Sequence, residues 1–126
     1  MSATFKICRH CGNLVELIRD QGVPLICCGQ KMEELVPNTV EASGEKHVPV
    51  VSVDGDLVRV SVGSVTHPMI PEHYIEWICL ETDRGVYRKN LQPGQAPEAL
   101  FTVPGEKPAA VYGYCNLHGL WKTEIG

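Results

Sequence analysis

The chain has 126 residues, 21% of them charged, and a formal net charge of -4. That length suits one domain, or one domain with a small appendage, and the acidic balance argues against nucleic acid or an anionic membrane as a general partner. No apolar run approaches membrane-spanning length, and the opening Met1-Ser2-Ala3-Thr4-Phe5-Lys6 has no secretory apolar core, so a soluble cytoplasmic protein is expected.

Six cysteines without a secretion signal point to metal or redox chemistry in place of disulfides. Cys8, Cys11, Cys27 and Cys28 fall in the first quarter of the chain, where His10 is the lone histidine. Cys79, Cys115 and the other four histidines come later. The split predicts two domains with different ligand chemistry, residues 1–36 and 37–126. Cys8-Arg9-His10-Cys11-Gly12 is a Cys-x-x-Cys knuckle, and Ile26-Cys27-Cys28-Gly29 supplies a second ligand pair. So short a segment cannot bury enough apolar surface to fold alone; a metal held by four thiolates supplies the missing stability. By spacing, closed zinc is the commoner answer. Adjacent cysteines in an extended chain point to opposite faces, so gripping one ion must twist the backbone. His10 is expected to be exposed and not a ligand. Residues 8–28 resemble desulforedoxin, a small four-cysteine iron protein whose second pair is also adjacent, and that resemblance implies iron.

Pro37 to Ala42 reads as a linker. Beyond it the chain reads as all-β: Val48–Val53, a tight turn at Asp54-Gly55, Leu57–Val62, Tyr74–Thr82, a turn at Asp83-Arg84-Gly85, and Val86–Leu91. After a Pro/Gly-rich loop from Gln92 to Glu98 come Ala99–Val103, Ala110–Cys115 and Leu120–Ile125. About seven short strands with frequent turns predict an immunoglobulin-like β-sandwich. The fold class expected is therefore mainly β, a four-cysteine metal domain followed by that sandwich, with function carried at strand ends and loops.

The histidines beyond the linker sit beside turn signals: Gly44 before His47, Pro68 after His67, Pro71 before His73. None of these three lies in a helix-like sequence. Cys115-Asn116-Leu117-His118-Gly119 sets a thiol and an imidazole at a spacing that suits two ligands on one metal. Cys79 reads as an inert buried thiol. We expect His47, His67, His73, His118 and Cys115 to converge on one iron ion. Five ligands of this mix do not suit the tetrahedron of structural zinc. Four imidazoles in a plane with one axial thiolate leave a sixth position open, which ferrous iron accepts; imidazole also suits copper and nickel. A thiolate opposite the open position donates electron density to whatever binds there. Glu45 and Lys46 immediately precede His47. They read either as a solvated charged turn or as a pair overhanging the open position, with Lys46 attracting a small anion.

Taken together, Gly44-Glu45-Lys46-His47, His67-Pro68-Met69, His73-Tyr74-Ile75-Glu76-Trp77-Ile78 and Cys115-Asn116-Leu117-His118-Gly119 resemble the superoxide reductase family. With the N-terminal cysteines included, the resemblance is to its two-iron, desulfoferrodoxin form and covers essentially the whole chain. It implies His47, His67, His73 and His118 as equatorial ligands, Cys115 as the axial one, and a second iron on Cys8, Cys11, Cys27 and Cys28. It implies one-electron reduction of superoxide to hydrogen peroxide without oxygen evolution. Lys46 would guide the anion, and Glu45 would occupy the vacant position in the oxidised state. A rubredoxin-like electron donor and a homodimer are implied as well. The competing expectation is a carrier in which both irons only relay electrons, which needs neither an open position nor a lysine beside it.

Overall fold

The computed structural model describes residues 2–126. The chain divides into two compact units, Met1–Val36 and Pro37–Gly126.

In the first unit, β1 (Thr4–Ile7) lies between β2 (Leu14–Leu17) and β5 (Glu33–Glu34), antiparallel to both. The two-residue strands β3 (Ile26–Cys27) and β4 (Gln30–Lys31) form a separate hairpin. Strands this short carry no readable alternation, so the sequence gives no warning of them. Phe5, Ile7, Cys8 and Leu35 are buried, while Ile18, Val23 and Ile26 remain exposed. The Arg9 guanidinium donates to both oxygens of Glu33, at 3.2 and 3.1 Å, tying the knuckle to β5. Both groups are exposed, so the pair adds little stability.

The second unit begins with one helical turn, α1 (Gly44–His47). Seven strands follow: β6 (Pro49–Asp54), β7 (Leu57–Val62), β8 (Ile75–Thr82), β9 (Val86–Asn90), β10 (Glu98–Thr102), β11 (Pro108–Cys115) and β12 (Gly119–Glu124). They make two antiparallel sheets, β10-β7-β6 and β12-β11-β8-β9. This is the seven-strand, two-sheet arrangement of an immunoglobulin-like sandwich. β7 shows why: Val58, Val60 and Val62 are buried and alternate with Arg59 and Ser61, as a strand with one face on a core requires. Their partners are Ile78 and Leu80 of β8, Val111 of β11 and Phe101 of β10. Each such side chain contributes about 1.5–3 kcal/mol by leaving water.

In the sandwich β7 has the bounds expected from the sequence, and the other strands differ by one or two residues, most at β11, which starts at Pro108 and shifts register before Ala110. α1 is a correction, because His47 was expected outside any helix and instead closes this turn. A single turn, closed by the Val48 N–H on the Gly44 carbonyl at 2.8 Å and the Lys46 N–H on the Ser43 carbonyl at 3.2 Å, has no periodicity to read.

Candidate metal centres

Both ligand clusters are built from turns. In the first unit the four sulfurs of Cys8, Cys11, Cys27 and Cys28 lie within 4.8 Å of one another. Adjacent cysteines reach the same point because Cys27 ends β3 while Cys28 enters the hairpin turn at φ 55, followed by Gly29 at φ 72. A two-residue turn with both φ values positive is the favoured hairpin type. The left-handed backbone at Cys28 turns its sulfur back toward that of Cys27. The twist expected from the sequence falls on the two turn residues, Cys28 and Gly29.

Cys11 and Cys27 sulfurs are 3.6 Å apart, and Cys27 and Cys28 sulfurs 4.0 Å. Thiolates at about 2.3 Å from a tetrahedral metal stand about 3.8 Å from one another, so the spacing fits an ion and is far too long for a disulfide. Without a cation the sulfurs must share protons. The Cys11 backbone N–H, first among several hydrogen bonds, holds the Cys8 thiol down to about 6. The bond between Cys28 and Cys11 leads the causes that push Cys28 up to about 12. Zinc and iron both suit four thiolates at this spacing. His10 is exposed, and the cluster does not include it.

In the second unit α1 presents His47, whose Nδ1–H donates to the Ser43 carbonyl at 2.6 Å. The turn is seated on the loop after β7. At Gly63 an added Cβ would lie 2.7 Å from the Glu45 carbonyl oxygen and 3.0 Å from the Val48 one. The Val65 N–H and the Ser64 hydroxyl donate to that same Glu45 carbonyl, at 2.8 and 3.2 Å. Four residues after Gly63, His67 is fixed by its own N–H to the Val62 carbonyl and by its Nδ1–H to the Pro68 carbonyl, at 3.0 and 2.7 Å. His73 closes the turn Ile70-Pro71-Glu72-His73, in which Ile70 and His73 exchange both backbone bonds. Cys115 ends β11, and a three-residue loop returns to Gly119 at φ 78, a position suited to glycine. The loop aims the His118 N–H at the Cys115 sulfur, 3.4 Å away, and sets His118 Nδ1 3.9 Å from it.

The four rings close a circuit in the order His47, His67, His73, His118. Neighbouring centroids are 4.6–5.0 Å apart with interplanar angles of 76–89°, whereas His47 and His73 stand 6.3 Å apart across it. His47 Nε2 lies 3.1 Å from both His67 Nε2 and His118 Nδ1. A square with that edge places its centre about 2.2 Å from each corner, close to the about 2.0–2.1 Å of a metal–imidazole bond.

Protonation decides whether these contacts are hydrogen bonds. Carbonyl partners fix the proton of His47 and His67 on Nδ1. Burial holds both rings below the usual imidazole range, His67 at about 4. Their Nε2 atoms therefore face each other as bare lone pairs, which repel unless a cation lies between them. His73 Nε2 is buried with no hydrogen-bond partner, an orphan of the kind that marks a missing ion. Cys115 is fully buried, and that burial pushes its thiol up, partly offset by the backbone N–H groups of His118 and Leu117. A bound cation would compensate its thiolate. Three imidazoles, His47, His67 and His73, lie with Cys115 within 4.8 Å of one another, and His118 joins through its contacts to His47 and Cys115. This donor set fits iron.

The five imidazole and thiol residues expected around one ion lie together. Glu45 and Lys46 are exposed on α1 itself, directly before His47. Cys79 is buried in β8, outside both clusters. Sequence reading missed Trp121, which stacks on His47 at 4.9 Å and donates its indole N–H to the His118 carbonyl at 3.0 Å. Its place three residues after His118 was the available signal.

Comparison with known proteins gives concordant matches. The family model for desulfoferrodoxin matches residues 39–124, and the model for the desulfoferrodoxin N-terminal domain matches residues 3–35. A desulfoferrodoxin of Nitratidesulfovibrio vulgaris is 48% identical over 117 residues, 93% of this chain and 92% of that protein. A superoxide reductase of Pyrococcus abyssi is 37% identical over 100 residues, 65% of this chain and 87% of the other. The crystal structure of the superoxide reductase from Treponema pallidum is similar with a TM-score of 0.82 at 38% identity, covering 98% of this chain and all of that one.

Proposed function

The chain belongs to the desulfoferrodoxin family, and from that premise we propose that it is a superoxide reductase. One superoxide, one electron and two protons give one hydrogen peroxide, without oxygen evolution, and superoxide is thereby detoxified. The observation that carries this reading is the ring of imidazole nitrogens, one of them buried without a partner, that face one another beside a buried thiol. We assign His47, His67, His73, His118 and Cys115 as ligands of the catalytic iron in a domain spanning residues 37–126. We assign Cys8, Cys11, Cys27 and Cys28 to a second iron in residues 1–36. When bound, the catalytic iron supplies the electron, and its thiolate ligand enriches the electron density available to the substrate.

The chain's own residues do the rest. Hydrogen bonds from Nδ1 of His47 and His67 to backbone carbonyls fix tautomer and ring orientation, the outer-shell role usual at imidazole sites. Lys46 draws in the anion from its exposed place on the turn that presents His47. Behind burial and the neighbouring rings, its charge is a further cause holding His47 and His73 below the usual range. Glu45, next to it, covers the site in the oxidised state. A rubredoxin-like protein donates electrons, with the four-cysteine iron as an accessory electron site. The working form is a cytoplasmic homodimer, and six cysteines with none in a disulfide suit such a reducing compartment.

Superoxide supplied together with a reductant is expected to yield one peroxide per superoxide consumed, with no oxygen released. Oxygen evolution would mark a dismutase and overturn the assignment.

A further inference from the structure

Three of the four ring ligands have a visible device that orients them. His47 and His67 each donate Nδ1–H to a backbone carbonyl, and His118 is carried on the short loop after Cys115. His73 has no comparable ring partner among the described residues. Its turn, Ile70 to His73, is closed on itself by two backbone bonds of 3.1 and 3.0 Å, which fix the turn's shape but not its distance from the other ligands.

What joins that turn to the centre is Asn116. The β8–β11 ladder ends at the pair Ile75–Cys115. Beyond it the Asn116 backbone N–H donates to the Tyr74 carbonyl at 3.2 Å. The side-chain amide then acts as one more peptide group: Oδ1 accepts from the Tyr74 N–H, and Nδ2 donates to the Glu72 carbonyl, each at 3.0 Å. The amide thus straddles His73, bonding the residue before it and the residue after it. Asn116 also lies between Cys115 and His118, so one side chain sets the span between two ligands on one loop and a third on another.

We propose that Asn116 is the positioning residue for His73, extending the strand ladder by one side-chain rung and thereby closing the ring of ligands. The inference rests on the assignment of His73 as a ligand. Asn116 touches neither substrate nor metal; it acts through His73. An alanine there removes both side-chain bonds and leaves the backbone bond and the Ile70–His73 turn intact. The turn is then free to swing as a unit.

The test is the rate at which ferric iron leaves the sandwich centre of the full, iron-loaded and oxidised chain for a chelator, followed through the thiolate-to-iron absorption band. Asn116→Ala is expected to accelerate release by about tenfold, at the low end for outer-shell changes at metal sites, with far-ultraviolet circular dichroism unchanged. Asn116→Asp, which keeps the acceptor for Tyr74 but loses the donor to Glu72, is expected to fall between it and the parent. Because Asn116 acts through His73, the double variant with His73→Ala should release iron no faster than His73→Ala alone. Multiplying effects would overturn the proposal, as would an unchanged rate in Asn116→Ala. If Asn116→Ala fails to fold, the aspartate variant decides on the same criteria. If His73→Ala itself leaves release unchanged, the ligand assignment falls and this inference with it. If it accelerates release while Asn116→Ala does not, the inference alone is overturned.

Discussion

Lys46 places a full positive charge beside the ring of ligands on a chain whose net charge is -4, so any attraction it offers an anion is local. Two unit charges at about 4 Å attract by about 1 kcal/mol in water and about 4 kcal/mol at an effective dielectric of 20. An exposed ammonium lies near the lower figure, which corresponds to about a fivefold effect. Lys46→Ala is expected to lower the second-order rate constant with superoxide by about that factor and to flatten its dependence on salt, with iron content unchanged. Pulse radiolysis at two ionic strengths measures both, and an unaltered rate would remove Lys46 from the reaction. His47, His67, His73, Cys115 and His118 were legible because thiols and imidazoles beside turn residues are informative by type. Trp121 and Asn116 were not, because indoles and amides occur everywhere, and only the folded neighbourhood shows that one stacks on His47 and the other brackets His73.

At the level of elements, the loop from Val62 to His67 has two jobs. It delivers His67 to the ring, and it forms the seat on which α1 holds His47. Gly63 makes the seat possible, since backbone atoms of the turn come within 2.7–3.0 Å of where its Cβ would be. Those atoms are not the ends of flexible side chains and cannot step aside without moving α1. Gly63→Ala is expected to destabilise the fold by about 1–3 kcal/mol, the usual range for overpacking, and to lower iron occupancy of the sandwich centre while leaving the four-cysteine centre filled. Urea unfolding and iron per chain test this; full occupancy at parental stability would contradict it. The strands were readable because each spans enough residues to show alternation. The single turn of α1 is too short to do so, and the left-handed backbone at Cys28 is set by the hairpin it joins.

For the whole molecule, the ring of histidines ties stability to pH. Burial holds His67 at about 4 when no metal is present, against about 6.5 in an unfolded chain. Between those values the unfolded chain binds a proton that the folded one refuses, so stability rises with pH across that window. Acidifying iron-free protein from pH 7 to 4 should therefore cost up to about 3 kcal/mol through His67. His47 and His73 act in the same direction. Urea midpoints at pH 7, 5.5 and 4 should fall in that order, and a midpoint that climbs on acidification would refute the account. The two clusters also differ in how far apart their members lie along the chain. The four sulfurs come from one short stretch, between residues 8 and 28, whereas the other donors are gathered from residues 47 to 118 and meet only after two sheets have paired. During biogenesis the first ion can be captured by a nascent, still shapeless segment and bring about its order. The second ion's donors are brought within reach of one another only as the strands that carry them assemble, so metal and fold stand in opposite order of dependence in the two units.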